Sequence, residues 1–287
     1  MQTLSNRNSL IFACAALLVS AAQAHTDANE AIPDTPGFKA SLAAALTSLS
    51  AKDKLPSQAM PGYLIRGDVG IDHRGTQLEH GVGQIGYRLN QTLGAQLAVG
   101  AHGTDPAHLE AAWLQARGFS PALDWTVGAG RQRPSLGVVM TRAGHLDRFG
   151  LMPLAKQALA NGDWIEDGMQ ASAKQQFGGV DWTLDAGVWR GRNFPGGATA
   201  SANPAVHLGA VGHHDAGEWA LDAFVAQLKP QARGSRVFSA NGAHTHAAPV
   251  CDASLNGVVC LDGRTRLSGI SAQWAGRSLP VTLTGAM

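Results

Sequence analysis

The sequence predicts an all-β protein: an antiparallel, up-and-down transmembrane β-barrel of about 11–12 strands with one helical inserted loop. Three observations predict it. Apolar and polar residues alternate with period two in one segment after another. Short turns take turns with long, polar, glycine-rich loops. The amino terminus has the layout of an export signal.

That signal comes first in the chain. In MQTLSNRNSLIFACAALLVSAAQAH, Arg7 supplies the positive start, Leu10 to Ala21 a short apolar run, and Ala22-Gln23-Ala24 a small-x-small cleavage site. A membrane-spanning helix needs about 20 apolar residues, more than this run has. Residues 1–24 are therefore expected to be removed on export, and the mature chain to begin at His25. Residues 25–60 follow as an N-terminal periplasmic or lumenal segment with Pro33 and Pro36. Within it, Phe38 to Lys54 is rich in Ala and Ser and carries a weak amphipathic-helix pattern.

The barrel domain is expected over 61–287. In "YLIRGDVGID", Tyr63, Ile65, Val69 and Ile71 oppose Arg66, Asp68 and Asp72. In "LGAQLAVGAHG", Leu93, Ala95, Leu97 and Val99 oppose Gln96 and His102. Leu123, Trp125 and Val127 oppose Asp124 and Thr126. Val180, Trp182, Leu184 and Val188 oppose Asp181, Thr183 and Asp185. Trp219, Leu221 and Val225 oppose Glu218 and Asp222. Such alternation is the signature of a two-faced strand. It predicts strands near 63–72, 77–90, 93–103, 107–119, 122–132, 166–178, 179–191, 205–215, 217–229, 265–276 and 279–287. The stretch from His145 to Gly168 departs from the pattern. Leu151, Leu154, Ala158 and Leu159 recur three or four apart, which marks one helical face.

A two-faced strand has two solutions. Its apolar face points into a soluble core, or outward into lipid. The strand number, the Asp, Arg, Gln and Gly of the polar faces, and the tryptophans within strands favour the second. Charge adds nothing for nucleic acid, because 22 Lys and Arg stand against 21 Asp and Glu. The chain has neither a GxSxG nor an HExxH motif, and "GAGRQRPSLG" lacks the ending of a phosphate loop. The carboxylates of "DWIEDG" read as a solvated turn rather than a glycosidase pair. No enzymatic activity is expected.

Cys251 and Cys260 remain after export, and one disulfide is the simplest expectation for an exported pair without CxxC spacing. His213, His214, His244 and His246 are candidate metal ligands, with zinc as the possible cofactor and solvated loop histidines as the alternative.

The run "HLEAAWLQARGFSPALDWTVGAGRQRPSLG", then His145, "DRFGLMPLAKQALANGDWIEDGMQ", and "VCLDG" before "RLSGISAQW" resembles a proteobacterial family of porin-like outer-membrane β-barrels. Members of that family are described as zinc-regulated or associated with metal uptake. The matching positions are Gly130-Arg131, His145, Asp147-Arg148-Phe149, Gly162 and Asp167-Gly168, with His244, His246, Cys251 and Cys260 in a later loop. Family chains continue for several more strands, so the resemblance implies an amino-terminal portion.

The expected function is passive passage of a small solute across the outer membrane, linked through the resemblance to divalent metal supply. Arg66, Asp68, Arg131, Asp181 and Asp185 are the expected lumen charges. The segment 145–163 would fold inward as a constriction, exposing His145, Asp147, Arg148, Lys156 and Asp163 to the channel. The expected partners are outer-membrane lipid and small solutes or metal ions, with no nucleic acid. The competing expectation is a periplasmic or surface metal-binding β-protein using His213, His214, His244 and His246.

Overall fold

The computed structural model describes residues 31–50, 52, 74–101, 106–137, 164–193, 202–231, 233–234, 260–277 and 282–286. These are strands and connections, with no helix among the described residues. The strands are β1 (Gly37–Ser50), β2 (Arg74–Arg88), β3 (Leu93–Ala101), β4 (His108–Phe119), β5 (Asp124–Gln132), β6 (Glu166–Phe177), β7 (Val180–Trp189), β8 (Asn203–His214), β9 (Gly217–Leu228), β10 (Arg233–Gly234), β11 (Cys260–Leu261), β12 (Thr265–Gly276) and β13 (Thr282–Ala286). Eleven of them form one sheet in the order β1-β2-β3-β4-β5-β6-β7-β8-β9-β12-β13, and β10 and β11 make a small separate pair. Every neighbour in the large sheet is next in the chain, or next after that small pair, and runs antiparallel.

The sheet is open. Its order begins at β1 and ends at β13, and the two do not pair among the described residues. It is also curled, because Trp113 on β4 stacks on Trp189 of β7 with ring centroids 6.4 Å apart.

The ends of the strands differ. At one end the connections are short: 89–92, 120–123, 178–179 and 215–216. Asn90 Oδ1 accepts from the backbone N–H groups of Thr92 and Leu93 at 2.9 and 2.7 Å, which fixes the first of these turns. Gly178 and Gly179 have φ of 63° and 76°, the pair of positive values that a two-residue type I′ hairpin turn requires. At the other end lie the long connections 51–73, 133–165, 190–202 and 229–264, and the shorter 102–107.

The faces are inverted relative to a soluble sandwich. Leu97, Leu114, Met169, Leu184, Leu208, Leu221 and Ile270 are all exposed, at 46–68%. Gln96, Gln115, Gln170, Ser172, Asp185 and His207, on the other face of the same strands, are at most 9% exposed. Among the described residues, two register shifts interrupt this alternation, one between β1 and β2 at Ala45/Leu46 and one between β3 and β4. The β3–β4 register shifts between Ala98 and Val99, so Glu110 has no opposite residue and turns inward together with Ala111.

The weak helical pattern at 38–54 is overturned, because Gly37–Ser50 is a strand paired along its length with β2. Phe38, Leu42 and Leu46 recur every four residues. That spacing satisfies a helical face and, being even, also one face of a strand. Pairing with β2 decides between them. The expected strand at 63–72 and the helix-like insert at 145–163 lie outside the described residues.

Four tryptophans lie flat against glycines on neighbouring strands. A Cβ at Gly118, Gly128, Gly168 or Gly212 would overlap the ring of Trp125, Trp113, Trp189 or Trp219 respectively. Gly128→Val is accordingly expected to cost about 1–3 kcal/mol through overpacking. Ala129→Val, on the exposed face, should be near neutral. Urea unfolding midpoints of the two variants check this.

Candidate functional site

The inner face of β7, β8, β9 and β12 concentrates the ionisable groups. Asp185 lies directly across from His207 in the β7–β8 register, and Asp222 lies one inward position along from His207's partner Phe224 on β9. The result is a row across three strands. His207 Nδ1 is 2.8 Å from Asp185 Oδ2, and Nε2 is 2.9 Å from Asp222 Oδ1. Ionised carboxylates only accept, so this geometry suits an imidazolium that donates from both nitrogens. Ser271 on β12 extends the row, donating from Oγ to Asp222 Oδ2 at 3.3 Å. Gly209 makes room for it: a Cβ there would stand 3.1 Å from His207 Cε1 and 3.2 Å from Asp222 Oδ1.

A second row repeats the chemistry nearer the short turns. His213 Nδ1 is 3.2 Å from Glu218 Oε2, and Nε2 is 3.5 Å from Asp181 Oδ2. All three side chains are about half exposed. Both rows hold two carboxylates against one imidazole, so this wall is acidic.

The opposite wall is basic but occupied. Arg88 donates from Nε to the carbonyl of Pro33 at 2.9 Å. Arg117 donates to the Asp34 carbonyl and approaches the Asp34 carboxylate at 3.3 Å through Nη1, with its guanidinium 4.7 Å from the Phe119 ring centre. The segment 31–34 therefore lies inside the curl and covers both arginines.

A second segment enters from the long-loop end. After β5 the chain turns inward. Ser135 exchanges two hydrogen bonds with the side chain of Gln170 on β6, at 2.9 and 3.1 Å. Gly137, with φ of 94°, then reaches Asp222 and Ser271 on the far wall. Leu136 and Trp164 join Trp113, Trp189, Phe224 and Leu228 in an apolar cluster on the inner face. Both described ends of the 133–165 connection thus pack inside.

Of the expected lumen charges, Asp181 and Asp185 lie on the inner face and in the two rows. Arg131 does not. It follows the parity of Val127 and Ala129 onto the outer face, where it pairs with Asp167 on β6. The inner face at that level is taken by Gln132 and Glu166. Arg66, Asp68, His145, Asp147, Arg148, Lys156 and Asp163 lie outside the described residues.

His213 and His214 are consecutive strand residues, so they project to opposite sides. His214 instead accepts the Ala216 N–H at its turn. His244, His246 and Cys251 lie outside the described residues, and Cys260 stands in β11. Among the described residues no group of three His, Cys, Asp or Glu is arranged to hold a metal. The central row of His207 and Asp222 was visible in the sequence only as polar positions of alternating strands. Which of them meet depends on register.

No family model and no curated protein sequence matches the chain.

Removing the central imidazole would leave Asp185 and Asp222 buried without their shared cation. His207→Ala is expected to cost about 3–5 kcal/mol, the penalty for breaking a buried ion pair from one side. His213→Ala, in the exposed row, should cost at most about 1 kcal/mol. Denaturant unfolding of the two variants side by side tests the contrast.

Proposed function

We propose that the chain forms the wall of an outer-membrane β-barrel that passes small solutes passively, with cations preferred. The observation that carries this reading is the inverted burial of the strands: their apolar sides are exposed while their polar sides are covered. In water that arrangement leaves a continuous apolar surface far larger than a soluble protein tolerates. In a bilayer it is the stable one. The outer face also carries Tyr87, Trp125, Phe177, Trp182, Trp219 and Trp274 within a few residues of the short-turn end of their strands. Aromatic residues at one level suit a membrane–water interface. Short turns at one end and long loops at the other suit the periplasmic and external sides.

The reading requires that the backbone groups of both edge strands be paired in the bilayer, because lipid leaves no open edge satisfied. Selectivity then follows from the two walls. The arginines are covered by residues 31–34, whereas Asp181 and Glu218 stay half exposed in the lumen. The half-exposed carboxylates of the His213 row make its wall acidic, so cations enter preferentially, including divalent metal ions of the kind the sequence resemblance implies. The 133–165 connection would narrow the passage.

Heat-modifiable migration tests the barrel itself. The membrane-extracted chain should run faster before boiling than after, and identical migration would contradict the reading. In planar bilayers under a KCl gradient, the reversal potential should show cation preference. Asp181→Asn combined with Glu218→Gln should move it toward zero. Deleting 138–163 should raise single-channel conductance.

A further inference from the structure

The outer face carries a charged row at its long-loop end. Arg131 on β5, Asp167 on β6 and Arg190 just after β7 stand side by side across three strands. Arg131 Nε donates to Asp167 Oδ1 at 2.8 Å, and Arg190 Nη1 lies 3.6 Å from Asp167 Oδ2. The ladder continues beneath them, with Arg190 N–H donating to the Asp167 carbonyl at 2.9 Å. Trp189, on the inner side, is fully buried, so Arg190 points outward and is half exposed.

Three properties make this row more than a solvated edge. It sits directly above apolar outer positions: Ala129, Met169 and Val188 are the next outward residues on the same three strands. Its charges do not cancel, since two guanidiniums share one carboxylate. The carboxylate uses both oxygens on the two arginines, yet Arg131 keeps Nη1 and Nη2 without a partner among the described residues. A guanidinium fork free on one side and held on the other is preorganised for a bidentate oxyanion.

Its height is also informative. Asp167 and Phe177 lie ten residues apart on the outer side of β6. At about 3.3 Å per residue and a tilt of about 40°, that separation spans about 25 Å vertically, the height of the apolar band of a transmembrane barrel. The aromatic level marks one boundary, and the arginine row falls at the other.

We propose that Arg131 and Arg190 bind a phosphate group of a membrane lipid at the outer boundary of the apolar band, with Asp167 holding the two guanidiniums apart and aligned. This rests on the membrane-barrel reading. The chemistry recognised is a phosphate oxyanion, and the source is the phosphate of a phosphorylated glycolipid rather than free phosphate. The position above Met169 and Val188 carries that choice, because the acyl chains of a bound lipid would lie along those side chains.

The test uses the full chain refolded into phosphatidylcholine vesicles, after heat-modifiable migration has confirmed that a barrel has formed. Failure at that earlier step would overturn the barrel reading; failure of the binding assay alone would overturn only this site. The probe is bis-phosphorylated lipid A, compared with the same glycolipid after phosphatase treatment, with retention read by native mass spectrometry. Preferential retention of the phosphorylated form is expected. Arg131→Gln combined with Arg190→Gln should lower it at least tenfold. Equal retention of the two glycolipid forms, or retention unaffected by the arginine substitutions, would overturn the proposal. So would inorganic phosphate at equal concentration displacing the lipid, since the site would then be one for free phosphate.

Discussion

Everything in this chain depends on the strict alternation of side chains across a hydrogen-bonded antiparallel ladder. A period of two gives each strand two faces, and antiparallel pairing from strand to strand aligns like faces across the sheet. One face becomes an unbroken apolar surface from Leu97 through Leu184 to Ile270. The other gathers glutamines, carboxylates and a histidine out of solvent. Once the register is set, neither face can change without flipping a whole strand. The bulge at Glu110 shows the tolerance: two inward residues in succession, after which the alternation resumes.

Burying polar groups on the inner face creates its own demand, since each must find a partner or remain wet. The chain meets it in three ways. Cross-strand rows pair Asp185, His207, Asp222 and Ser271. Two entering segments supply backbone groups to Arg88, Arg117 and Gln170. At the long-loop end, tryptophans and Leu136 replace polar contacts with apolar packing. The amide oxygens of Gln96, Gln115 and Gln132 have no partner among the described residues, as suits a proposed lumen that holds water.

Much of the fold was legible in the sequence because alternation is a local signal. Nine of the expected strands coincide with β2–β9 and β12 to within a few residues, and β13 falls inside the last expected one. The first strand was not legible, since Phe38, Leu42 and Leu46 fit two periods at once and only pairing with β2 selects one. Arg131 departs from its expected place for a different reason: charge alone points to the inner face, but parity from Val127 carries it outward to Asp167. The site itself was half legible. Periodicity assigned Asp185 and Asp222 to polar faces, while the contact of both with His207 arises from register between strands that no local pattern encodes.

The central claim is that the exposed apolar face meets lipid. The seven tryptophans divide across it: Trp125, Trp182, Trp219 and Trp274 on the outer side, and Trp113, Trp164 and Trp189 buried within. Single-tryptophan variants in vesicles of brominated phospholipids report this division directly through fluorescence quenching. The account predicts strong quenching of the four outer residues, greatest for bromine near the headgroup, and weak quenching of the three inner ones. Equal quenching of the two sets, or outer tryptophans reached by aqueous acrylamide but not by lipid bromine, would contradict it.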